Sequence, residues 1–208
     1  MARLRAADRR EDIIQAAGRV LLARGLAAAT TRDVTTELGV GVGLLSHYFT
    51  WSTLRAEAFE RVVRADLEAS ITARHGVPAR RVLSDLVRVA FDQQFDPVWR
   101  VWIEAADLAS SDEELADRVR RCLVRWQDGL ASVLARGVEE EAWTCADPTG
   151  ASCRLLALLD GLVGMTLPPS ALLTRATAMR HLRTALDHEC HVVEPSSHIR
   201  RGTARAFP

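Results

Sequence analysis

Apolar residues along this chain recur at intervals of three and four in nearly every segment, and no stretch alternates strictly between apolar and polar. That spacing predicts amphipathic helices. The first carries Ile13, Ile14, Ala17, Val20 and Leu21 on one face, starts after Asp8 as its N-cap and stops at Gly25. Thr30 predicts the cap of a short helix over 31–38, closed by Gly39, and a third short helix over 41–49 follows. Ser52 opens a longer helix to about residue 74, with Leu54, Ala58, Val62, Ala65 and Ala69 in one stripe. His75, Gly76 and Pro78 punctuate the chain before a helix to residue 95. Asp96-Pro97 opens the next, and Ser111 with Glu114 reads as a capping box for a helix that reaches 136 and stops at Gly137. Asp147-Pro148 starts a helix to about 167, Pro168-Pro169 ends it, and Ser170 caps a last one to about 189. The expected fold is all-α with about nine helices: a three-helix front module over 1–51, a larger helical domain over 52–191, and a disordered tail over 192–208.

With 48% apolar residues in a chain of 208, a core can form, which excludes a wholly disordered protein. No apolar run approaches the roughly 18 residues of a membrane span. The first ten residues hold four arginines and no signal-like apolar stretch behind them. A cytoplasmic protein without membrane contact is expected. Four cysteines (Cys122, Cys145, Cys153, Cys190) are too sparse for a disulfide scaffold and are expected to be buried thiols.

The two short front helices, separated by Gly39-Val40, have the length and punctuation of a helix-turn-helix, whose second helix enters the DNA major groove. Thr31 sits at a helix N-terminus, where backbone N–H groups and a hydroxyl can hold a phosphate, and Arg32 adds charge. Val42, Gly43 and Leu44 start the third helix, so readout there is thymine-methyl contact and close backbone approach. Ser46 can bond a base or a phosphate, and His47 and Tyr48 read as phosphate clamps. Val34, Leu38, Leu45 and Phe49 belong to the small core.

The run from Gly39 to Phe49, preceded by Thr30-Thr31-Arg32-Asp33-Val34, resembles the DNA-binding module of TetR-family transcriptional repressors. Ser46-His47-Tyr48-Phe49 is most similar to the choline-responsive, BetI-like branch. The likeness covers about residues 9–60 and continues weakly in Arg100-Val101-Trp102 and Leu159-Asp160-Gly161-Leu162. It implies DNA contacts by Thr31, Val42, Gly43, Leu44, Ser46 and Tyr48. Two positions depart from the family pattern. Gly41 stands where Ser is usual, and Ser52 stands where a phosphate-binding Lys is usual, with Arg55 one turn on as a substitute charge.

The rest of the chain offers no catalytic constellation, so no enzyme and no cofactor are expected. His188-Glu189-Cys190-His191 lacks the spacing of a helical zinc pair and reads as a solvated helix end, without metal. The family resemblance implies an effector pocket in this region. Its candidate lining is Phe95, Trp99, Trp102, Ile103 and Trp126, with Gln94, Glu104 and Gln127 as polar partners. An aromatic cage with Glu104 would suit a quaternary ammonium. Asp160 is read as a cap or a buried hydrogen-bond partner. The last two helices are apolar on more than one face, with small residues for close approach. Leu158, Gly161, Leu162, Met165 and Leu182 are therefore expected at a homodimer interface.

The formal net charge is zero, which at first argues against nucleic acid. The balance is +3 over residues 1–64, −6 over 65–195 and +3 over 196–208, so neutrality hides a mildly basic front on an acidic body. The expected protein is a homodimeric repressor bound to a palindromic operator and released by a small molecule. The alternative is a helical small-molecule-binding protein with a weakened helix-turn-helix.

Overall fold

The structure, a computed structural model, describes residues 2–192, with the side chains of 2–7, 42 and 192 excepted. The predicted tail therefore lies outside the described residues apart from its first position. The described residues form nine α-helices: α1 (Ala2–Arg24), α2 (Thr31–Leu38), α3 (Val42–Ser46), α4 (Trp51–Leu67), α5 (Ala79–Ala90), α6 (Asp96–Leu108), α7 (Glu113–Glu139), α8 (Pro148–Gly164) and α9 (Arg175–Glu189). A π-helical turn, Glu68–Thr72, prolongs α4, and a 3-10 turn, Gln93–Phe95, leads into α6. Two short strands, β1 (Trp143–Thr144) and β2 (His191–Val192), pair antiparallel and fasten the end of α9 to the α7–α8 connection.

Several helix starts differ from the sequence reading, each for a visible reason. Asp8 does not cap α1, whose backbone is helical from Ala2. Thr50, rather than Ser52, caps α4 by accepting from the Thr53 N–H, and the Ser52 hydroxyl is turned onto Asp112 instead. Asp112 caps α7, because the Ser111 hydroxyl donates backward to the Leu108 carbonyl. Asp96 is already inside α6 and accepts a 2.7 Å bond from Arg175. Thr174 caps α9, four residues after Ser170, where a slow turn follows the two prolines.

Gly137 is not a helix stop. Helix α7 passes through it, and the Trp143 indole lies flat against it: a Cβ there would sit 1.9 Å from Trp143 Cζ2. The Trp143 N–H donates to the Leu134 carbonyl at 3.0 Å, which seats the ring on the helix backbone.

Helix α4 packs between α1 and α7, α7 against α8, and α8 against α9. The front core joins Ile13 and Leu21 of α1, Val34 of α2, Leu45 and Phe49 around α3, Phe59 of α4, Val101 of α6 and Leu115 of α7. The rear core joins Leu67, Val82, Leu134, Trp143, Leu155 and Leu182, and Trp126 packs against both. The apolar packing thus runs unbroken from the front helices into the body. Across α4 and α7, Glu60 binds Arg118 at 2.6 Å and Arg125 at 2.9 Å. Burial pushes the Glu60 carboxyl up, but the Arg118 guanidinium holds it below its usual range.

Candidate functional site

The front module is fixed by local hydrogen bonds. The Thr30 hydroxyl accepts from the Asp33 N–H while the Asp33 carboxylate accepts from the Thr30 N–H, a closed capping box. The bond from Thr30 holds the Asp33 carboxyl below its usual range. Gly39, at φ +67°, takes the left-handed conformation that ends α2 and turns the chain into α3. Leu45 and Phe49 anchor α3 from beneath, with the Arg10 guanidinium 4.7 Å from the Phe49 ring centre.

What remains outside is one edge. Arg32, Gly43, Ser46 and His47 are exposed, and Thr31, Leu44 and Tyr48 are half-buried. Among the described residues, chain neighbours aside, nothing lies within 4 Å of a Cβ built at Gly41 or Gly43, so their packing does not demand glycine at the start of α3. Ser46 bonds back to the Gly43 carbonyl at 3.0 Å, which leaves its oxygen able to accept. Val42 lies in α3, and its side chain is outside the described residues.

Ser52 and Arg55 take a different role from the phosphate contacts expected of them. Both turn inward onto Asp112: Ser52 Oγ donates at 3.0 Å and Arg55 Nη2 at 2.7 Å. The same carboxylate accepts from the Leu115 N–H at 3.1 Å, so one side chain caps α7 and clamps the first turn of α4 to it. Burial raises the Asp112 carboxyl, but the Arg55 guanidinium and these bonds bring it below the usual range.

The body encloses a cavity of about 100 Å³ between α4, α5, α6, α7, α8 and α9. Phe95, Trp99, Trp102 and Trp126 line it, as expected from the sequence. Trp99 Nε1 donates to the Ala90 carbonyl at 3.0 Å, and Trp102 stacks on Phe59 with centroids 5.9 Å apart. Four expected members are elsewhere. Ile103 is 38% exposed, and Gln127 does not reach the lining. Glu104 points away from the cavity to the α1–α2 turn, where its carboxylate accepts from the Ala27 N–H at 2.9 Å and packs against Gly25, at φ +87°. Gln94, the third expected polar partner, is exposed beside Asp92.

The polar groups that do line the cavity are Asp66, Ser70 and Asp160. The Trp102 side chain beside Asp160 and the Ser70 side chain beside Asp66 favour the charged carboxylates, but less than burial opposes them. Burial pushes both carboxyls up to about 6. Among the described residues no arginine or histidine lines the cavity to neutralise either charge. The signal for both was an acid within an apolar helical stripe: Asp66 among Val62, Val63 and Leu67, and Asp160 among Leu155, Leu156, Leu159 and Val163.

Of the residues expected at a homodimer interface, Gly161 and Met165 are exposed, Met165 by 41%, and Leu158 is half-buried. Leu162 and Leu182 are buried inside the chain's own core, and Leu182 also lines the cavity. The exposed stripe of α8 runs through Cys153, Ala157, Gly161 and Met165, and Leu162 is one residue around the helix from it. Among the described residues nothing lies within 4 Å of a Cβ built at Gly161 or Gly164. Among the described residues no group of three or more His, Cys, Asp or Glu converges as a metal site, and no helix is long and apolar enough to cross a membrane.

Known proteins share this arrangement. Residues 13–51 match the family of bacterial regulatory proteins of the tetR type, and residues 79–191 match the BetI-type transcriptional repressor C-terminal family. The HTH-type transcriptional regulator PksA of Bacillus subtilis is 30% identical over 159 residues, which cover 74% of this chain and 76% of PksA. A transcriptional regulator from Saccharomonospora viridis, solved in complex with choline, superposes with a TM-score of 0.74 at 22% identity over 90% of this chain and 100% of that one. A TetR-family regulator from Rhodococcus sp. superposes with a TM-score of 0.73 at 22% identity, over 88% of this chain and 98% of that one. The chain belongs to the TetR family of transcriptional regulators, with a helix-turn-helix at its N-terminus and a C-terminal region of the BetI type.

Proposed function

We propose that this protein is a repressor that binds a palindromic operator as a homodimer and releases it when an organic cation enters the tryptophan-lined cavity. The observation that carries the reading is that two helices run from the cavity to the front module. Helix α4 brings Val63 and Asp66 to the cavity at one end and starts beside α3 at the other, clamped by Asp112. Helix α6 carries Trp99 and Trp102 on its cavity side and Glu104 on the α1–α2 turn. A ligand that shifts either helix shifts the module, provided it binds the DNA-incompetent arrangement more tightly.

On this reading residues 1–51 are the DNA-contacting unit and 52–191 the effector and pairing unit. The DNA contacts are Thr31, Arg32, Val42, Gly43, Leu44, Ser46, His47 and Tyr48, without Ser52 and Arg55, whose polar groups Asp112 occupies. The exposed stripe through Gly161 and Met165 pairs two copies, which sets two α3 helices on successive turns of the groove. The cation class follows from the cavity itself. Three indoles offer π-faces, and two carboxylates held without a counter-charge gain most from a positive ligand. The choline bound in the Saccharomonospora viridis regulator is a cation of this kind.

Isothermal titration with choline, against its neutral carbon isostere, tests the ligand class. Choline is expected to bind at pH 7.5, and its affinity is expected to fall as the pH drops through about 6, where Asp66 and Asp160 take up protons. The substitution Asp160→Asn is expected to weaken choline roughly tenfold or more. Equal binding of the isostere, or pH-independent binding, contradicts a cationic effector. The same two groups have a signature in the ligand-free protein. Their folded pKa lies above the unfolded one, so the folded state binds more protons between about pH 4 and 6 and stability declines as pH rises through that window. Chemical denaturation of the Asp66→Asn variant at pH 5 and pH 7.5 is expected to show a smaller decline than the parent.

A further inference from the structure

Two of the four cysteines face each other. The β1–β2 register pairs Trp143 with Val192 and Thr144 with His191, so the next rung sets Cys145 opposite Cys190. Exposure alternates accordingly: Thr144 and His191 are exposed, while Trp143, Cys145 and Cys190 turn toward the protein. Directly opposed residues of an antiparallel pair have Cα atoms about 4.5–5.5 Å apart, inside the range a disulfide requires. The Cys145 side chain is near enough to act on the Cys190 thiol.

Their surroundings differ in the way a reactive pair needs. Cys145 is half-exposed, whereas Cys190 is 5% exposed. Burial, and then the neighbouring Cys145, push the Cys190 thiol up to about 12, so it is not the first to react. Arg154, held by Glu189 through two bonds of 2.6 Å, lies within electrostatic reach of the Cys145 sulfur. Cys122 is buried in the front core and Cys153 stands exposed on α8, so neither shares this rung.

We propose that Cys145 and Cys190 are a modification site, oxidised to an intramolecular disulfide by a hydroperoxide. The Cys145 thiolate attacks the peroxide; an S–O bond forms, the O–O bond breaks, and the leaving oxygen takes up a proton. The Cys190 sulfur then attacks Cys145 Sγ; the S–S bond forms, the S–O bond breaks, and the released hydroxide takes the Cys190 proton as water. Two thiols lose two electrons and the peroxide gains them. The product closes a loop that holds the whole α8–α9 hairpin and pins its base beside Trp143.

The test is peroxide treatment of the full chain, then digestion before aspartates, which separates Cys145 from Cys153, and non-reducing mass mapping. The expected result is one cross-link joining the Cys145 and Cys190 peptides. It reverses with dithiothreitol and raises the melting temperature by roughly 5 °C or more. With C190S, or C190A if that folds better, dimedone is expected to label Cys145, and C153S is expected to leave the cross-link intact. Over-oxidation of Cys145 in the parent with Cys190 left reduced, cross-links only through Cys153, or dimedone labelling of Cys190 in C145S would each overturn the proposal.

Discussion

Replacing Gly137 by Ala is expected to destabilise the protein by about 2–4 kcal/mol, although alanine is the better helix former by about 1 kcal/mol. The added methyl would stand 1.9 Å from Trp143 Cζ2 and 2.1 Å from Cε2, both atoms of a rigid ring rather than the end of a flexible chain. Trp143 is 4% exposed and tied to the Leu134 carbonyl, so it cannot step aside without losing burial and a hydrogen bond together. For a domain of this size the melting temperature is expected to fall by roughly 5–15 °C. A double-mutant cycle with Trp143→Leu separates the clash from any effect on the helix. The combined cost is expected to be well below the sum of the single costs, because the leucine vacates the place the methyl needs.

Removing the Asp112 carboxylate should have an effect of similar size. Asp112→Ala deletes the α7 cap, worth about 1 kcal/mol. It also leaves the Arg55 guanidinium, with 18% side-chain exposure, without its counter-ion, and the total expected cost is about 3 kcal/mol. Asp112→Asn keeps the cap and isolates the charge pair, so it should cost less. The pH dependence has a definite sign. The folded pKa of Asp112 lies below the unfolded value, so its contribution is complete at neutral pH and is lost as pH falls through the folded value. Acid denaturation of the alanine variant, followed by circular dichroism, is expected to show a correspondingly shallower loss. The functional consequence bears on the position where a lysine is usual in the family. Asp112 gives Ser52 and Arg55 an internal task, so operator binding is expected to draw fewer phosphate contacts and to depend less steeply on salt.

What the chain revealed in advance was mostly local chemistry. The Thr30 cap, the Gly39 turn and the Asp147-Pro148 start are decided within four residues, and they stand as read. Two of the caps that differ are serines whose hydroxyls bond elsewhere: Ser52 turns onto Asp112, sixty residues away, and Ser111 onto the Leu108 carbonyl one turn back. The cavity was half legible. Trp99 and Trp102 lie on one side of α6, but Glu104 is about 200° further round than Trp102 at about 100° per residue, which puts it on the opposite face. The acids that do reach the cavity come from α4 and α8, and only their tertiary packing brings them to the tryptophans. The apolar girth of α8 signalled burial on two sides. It does not say which residue faces which side, and Leu162, expected at the interface, lies within.

The central claim, a two-fold regulator that reads DNA through the α2–α3 edge, meets its most direct test in footprinting on the DNA flanking its own gene. The account predicts one protected site with two-fold sequence symmetry and half-sites about 34 Å apart, one helical turn. Protection is expected to weaken at least roughly tenfold in Thr31→Ala and Tyr48→Ala proteins that keep their helical spectrum. No protected site, or protection unchanged by both substitutions, would contradict it.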